Sequence, residues 1–81
     1  MTAWLQCQVV RGGMFSIERV VEVRTVWGTT SAFFVRADEV EGDRVRVLAE
    51  RSPSTGNWEV ILPTDHPYMA VSVPEEDLEF R

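Results

Sequence analysis

Strict alternation of apolar and polar side chains dominates this chain. In "AWLQCQVV", residues 3–10, Ala3, Leu5, Cys7 and Val9 share one face while Gln6 and Gln8 share the other, the period of a half-buried strand. "IERVVEVRTVW", 17–27, puts Val21 and Val23 against Glu22 and Arg24 and is dense in β-branched residues, so it reads as a long second strand rather than a helix. Val20 beside Val21 breaks the period and predicts a bulge or the onset of pairing there. "WGTT" turns the chain, and "SAFFVR", 31–36, is a third strand. "ADEVEGD", 37–43, is a turn. "RVRVLAE", 44–50, is a fourth strand with Val45, Val47 and Ala49 inward. "RSPSTGN" is a loop of turn residues. "WEVIL", 58–62, alternates Trp58, Val60 and Leu62 against Glu59 and Ile61, and "AVSV", 70–73, is the sixth strand. Pro74 opens a helical turn in "PEEDLEFR".

The pattern predicts an all-β protein: one domain over 1–81, a small six-stranded barrel or sandwich with short helical turns. It also reads as two pseudo-repeated three-stranded halves. "FFVRADEVE" from Phe33 falls on "VSVPEEDLE" from Val71 at an offset of 38, and "QCQVV" from Gln6 falls on "RVRVL" from Arg44. A repeat is expected where each half buries its face on the other.

The candidate chemistry is sparse. "VVRGGMFSIE" resembles a phosphate loop only in its glycines, which lie between strands rather than before a helix. Gly12 and Gly13 are expected to form a turn with positive φ, and Met14, Phe15 and Ile17 to cap the end of a barrel. His66 is the sole histidine, and a Cys7–His66–Asp65 grouping has no motif behind it. No catalytic residue, metal ligand or cofactor is expected: zinc requires about four soft or imidazole ligands, and the acidic turns lack calcium-loop spacing.

Charge narrows the partners. The net charge is −5, and eight arginines stand among thirteen carboxylates, so nucleic-acid binding, which needs clustered cations, is not expected. A single cysteine suits a reducing compartment. "MTAWLQCQVVRGG" has neither the basic start of a signal peptide nor a membrane-spanning run, which predicts a cytoplasmic chain without membrane contact.

The aromatic residues carry most of the functional reading. Phe33 and Phe34 are adjacent on a strand and must point to opposite sides, and Trp4 opposes the Ala3–Leu5–Cys7 face. Large rings left outside a core mark contact sites. The expected function is a non-enzymatic binding or assembly module acting through an exposed aromatic face, with itself or another protein as partner and a homodimer as its form. Trp4, Trp27, Phe34 and Tyr68 are the candidate interface residues, and Phe34 is nearer the interface than Phe33. The second reading is a small-molecule pocket or weak hydrolase at the 12–15 and 65–68 loops, with Met14, Phe15 and His66 as binding residues.

The closing "VSVPEEDLEF" resembles the last strand and turn of Src-homology-three-like barrels, where Val-Pro begins the closing turn. That resemblance implies a small β-barrel. The start of the chain departs from the peptide-binding members, so proline-rich ligands do not carry over. "GMFSIE" is similar to a stretch of short bacterial proteins without an assigned activity, and implies none.

Overall fold

The computed structural model describes residues 1–12, 17–64 and 69–80. Among these residues nine strands occur in the order β1 (Thr2–Gln6), β2 (Gln8–Gly12), β3 (Glu18–Arg24), β4 (Thr30–Arg36), β5 (Val40–Glu41), β6 (Arg44–Arg51), β7 (Trp58–Leu62), β8 (Met69–Val73) and β9 (Leu78–Phe80). Two 3-10 turns, Ala37–Glu39 and Glu75–Asp77, precede β5 and β9. The all-β expectation holds. The strands form two sheets rather than a closed barrel: β8-β7-β6-β1-β9 with β5 also on β6, and β2-β3-β4. All pairings are antiparallel.

The expected strand over 3–10 is two strands, because it serves both sheets. Gln6 pairs with Arg44 in one sheet and Gln8 with Glu22 in the other. Between them the Cys7 N–H leaves both ladders and donates to the Asp43 carbonyl at 2.8 Å. The bulge is not at Val20–Val21 but on the facing strand. Val9 pairs with Val21 and Arg11 with Val20, so Val10 is the extra residue. Val20 and Val21 are both buried, one on each face of β3.

The second strand also stops early, at Arg24. Thr25 N–H donates to the Thr29 carbonyl at 2.8 Å, and Gly28 N–H to the Thr25 carbonyl at 3.1 Å. Pro74 stands at the cap of its 3-10 turn, one place before the expected position.

One core joins the two sheets. Ala3, Leu5, Val45, Val47, Ala49, Val60, Leu62 and Val73 face Val21, Val23 and Val35, with Cys7 at the crossing. Phe33, Val40, Trp58, Val71 and Leu78 pack against this cluster. Val9, expected inward, is exposed on β2, which among the described residues has a partner strand along one side only. The terminal segment covers Trp58: the Phe80 ring lies 4.8 Å away, centroid to centroid, and the Arg51 guanidinium 5.3 Å from the indole. Two further hydrogen bonds tie the sheets together, Val26 N–H to the Ser72 carbonyl at 3.0 Å and Arg36 N–H to the Pro63 carbonyl at 3.1 Å.

The two 3-10 turns start 38 residues apart and are conformational copies. Their caps, Arg36 (φ −67°, ψ 133°) and Pro74 (φ −65°, ψ 140°), are alike, as are Val40 (−110°, 132°) and Leu78 (−102°, 136°). Each copy launches a short strand.

Gly42 carries φ +62° in the tight turn between Glu41 and Arg44, and no atom lies near where its Cβ would stand. Backbone strain alone therefore sets the effect of substitution. Gly42→Val is expected to destabilise by about 1–2 kcal/mol and Gly42→Asn by less, as read in urea melts. Equal melts for both variants and the parent chain would contradict this. Of the turn expected at Gly12–Gly13, Gly12 is the last paired residue of β2, opposite Arg19. Gly13 lies outside the described residues, as do Met14 and Phe15.

Candidate interaction surface

The β3–β4 hairpin sorts the two adjacent phenylalanines. Phe33 pairs with Val21 and packs on the core, whereas Phe34 pairs with Val20 on the outer face. Phe34 is 50% exposed beside Val20, which is 6% exposed. A cross-strand aromatic and β-branched pair of this kind is a stable, flat apolar platform. Arg11 pairs with Val20 on the other side, and the Glu18–Arg36 pair lies one same-face step along.

Trp27 stands at the tip of the Thr25–Thr29 turn and is 72% exposed. Its N–H donates to the Thr25 Oγ1, which itself shares a 2.8 Å hydrogen bond with Thr29 Oγ1. Phe34 is four residues beyond the start of β4, on the order of 13 Å from Thr30 at the foot of that turn. The hairpin therefore presents two separate exposed aromatic rings on one element, not one continuous face.

Trp4 corrects the expectation. It does point away from the core, but it is only 9% exposed. Arg46, its partner on β6, and Arg44 lay their guanidinium groups 5.1 and 5.3 Å from the ring centroid. Arginine stems cover apolar surface well and their heads are drawn to the ring face. The signal was present in "RVR" at 44–46, whose two arginines face outward, but only the β1–β6 register sets them over Trp4. Trp4 is thus removed from the exposed set. Tyr68 and His66 lie outside the described residues.

Sequence reasoning also missed a second apolar area. Leu48 is 54% exposed and Ile61 36% exposed, and these two residues are directly paired. Thr2 and Ala70 extend the pair into a row across β1, β6, β7 and β8.

Salt bridges occupy five of the described arginines. Arg24 holds Asp77 through two nitrogens at 3.1 and 3.2 Å and Glu76 at 3.0 Å, which ties β3 to the second 3-10 turn. Arg44 meets Glu79 at 2.9 Å, Arg51 meets Glu75 at 2.8 Å, and Glu39 stands between Arg36 and Arg46 at 3.3 and 3.7 Å. Among the described residues no group of three potential ligands could hold a metal ion, and no helix is long and apolar enough to cross a membrane.

Cys7 is buried, and its thiol is pushed from the ordinary 9.0 up to about 11. Burial, which disfavours the thiolate, is the larger cause, and the Asp43 carboxylate adds to it. The folded chain favours the protonated thiol, so the stability this contributes is complete below pH 9.0 and is lost as pH rises towards about 11. Cys7→Ala is expected to flatten the fall in urea midpoint across that window. An identical fall in both proteins would refute the assignment.

No family model, curated protein or solved structure matches this chain.

Proposed function

We propose that the protein is a non-enzymatic binding and assembly module whose outward aromatic side chains form its contact surface, with a second copy of the chain as partner. The single observation that carries this reading is the split of Phe33 and Phe34: one ring supports the core, and its neighbour is half in water on a flat cross-strand pair with Val20. Burying such a ring in a partner contributes about 1.5–3 kcal/mol, and a two-fold contact uses each patch twice. Trp27 is an additional contact on the same hairpin. The Src-homology-three-like reading belongs to this proposal, supported by the Val73-Pro74 entry into a 3-10 turn and by β9 lying against β1.

Two features support a non-catalytic protein partner over other ligands. The buried Cys7 thiol stays protonated at neutral pH. Five of the described arginines are engaged by carboxylates of the same chain, which reduces the positive charge those five offer to phosphates. A cytoplasmic location fits the lone, reduced cysteine. Sedimentation equilibrium tests the proposal: the wild type is expected to associate at micromolar concentration, and Phe34→Glu to weaken that association while keeping its fold. A wild type that stays monomeric at high concentration would refute it.

A further inference from the structure

The outer face of the larger sheet has an arrangement of charge that matches its own copy. Its middle is the row of Thr2, Leu48, Ile61 and Ala70, directly paired across four strands. Same-face neighbours on β6 stand two residues to either side of Leu48: Arg46 in one direction and Glu50 in the other. Glu50 pairs directly with Glu59 on β7. Two like charges opposite each other on a sheet are destabilising unless something offsets them. Neither carboxylate has an ion pair among the described residues. At the other end Arg46 is joined by Arg36, with Glu39 between them, around a shallow depression of about 220 Å³. A second depression, of about 420 Å³, flanks the acidic end.

We infer that this face docks a second copy of the chain about a two-fold axis running along the Thr2–Leu48–Ile61–Ala70 row. The inference goes beyond the aromatic-face reading, and uses the opposite layer of the molecule. A two-fold axis lying in the plane between stacked sheets, across the strands, reverses the strand direction of one sheet over the other. Leu48 then meets its own copy on the axis. Arg46 of each copy comes over Glu50 of the other, and the Glu50–Glu59 pair gains a cation that the described residues of its own chain do not supply. Sheets packed face to face are about 10 Å apart, a gap that an arginine and a glutamate reaching toward each other can bridge. With the axis along the strands instead, Arg46 would lie against Arg46, so the charge pattern selects one orientation.

The test is made in the Phe34→Glu variant, so that any dimer remaining belongs to this face. Sedimentation equilibrium is expected to show that variant still forming a dimer, weakened by added salt. Adding Glu50→Arg sets a cation against Arg46 of the other copy, and is expected to weaken the dimer at least about tenfold. Salt should then strengthen what remains, because screening relieves repulsion. That reversal in the sign of the salt response needs no change at Arg46, which covers Trp4. Combining Arg46→Glu with Glu50→Arg restores the complementarity and should return the affinity to near the starting value, provided circular dichroism shows the variant folded. Salt responses of the same sign with and without Glu50→Arg overturn the inference. A wild-type dimer that becomes monomeric on Phe34→Glu alone overturns it too, and supports the aromatic face as the sole contact. A dimer indifferent to Phe34→Glu but sensitive to Glu50→Arg sustains this face and removes Phe34 from the self-association.

Discussion

Phe33→Glu is expected to unfold the protein, and Phe34→Glu to leave it folded. The two positions share a strand, a residue type and almost a backbone position, so the contrast isolates direction. Phe33 packs on the cluster that includes Val21, its cross-strand partner, and Val35. A glutamate there removes apolar packing and sets a carboxylate against the apolar cluster. The combined loss exceeds about 4 kcal/mol, a large share of the roughly 5–15 kcal/mol typical of a whole domain. Phe34, half exposed on the outer face, loses only its contact with the neighbouring surface. Far-UV circular dichroism and urea melts decide the first effect, and sedimentation the second. Two substitutions that behave alike would show that the β3–β4 hairpin does not sort its faces in this way.

The second large effect concerns leucines. Leu5→Ala is expected to cost about 2–5 kcal/mol, while Leu48→Ala changes stability by no more than about 0.5 kcal/mol at sub-micromolar protein. Leu5 is wholly buried on β1, a strand paired on both sides, between Val45 on β6 and Leu78 on β9. The chain around it is held in both directions and cannot collapse into the space left behind, so the cavity contribution persists. Leu48 is 54% exposed on the outer side of β6 and leaves no cavity. In the proposed dimer its contribution belongs to association, and is expected only at higher concentration. Intrinsic tryptophan fluorescence follows both melts. A Leu5→Ala midpoint within error of the parent would contradict the placement of Leu5 in the core between the two sheets.

Alternation alone determined most of what lies inside this molecule. Ala3, Leu5, Val21, Val23, Val45, Val47, Ala49, Val60 and Leu62 are core residues because successive strand side chains point to opposite faces, a property of the local backbone. The same rule separated Phe33 from Phe34 and put Ile61 outside. Turn chemistry placed the breaks near Gly28, Gly42 and Gly56, where positive φ suits glycine. Tertiary structure decided the rest, because each remaining feature depends on which strands become neighbours and in what register. A run of alternating residues does not reveal that its ladder changes partner at Cys7, so one long strand became two in different sheets. Two outward arginines on β6 cover Trp4 only because Trp4 pairs with Arg46 rather than with a residue one or two places away. Leu48 and Ile61, separated in the chain by a turn and parts of two strands, become one apolar row, and Arg46 and Glu50 its two charged ends, only once β6 and β7 are aligned.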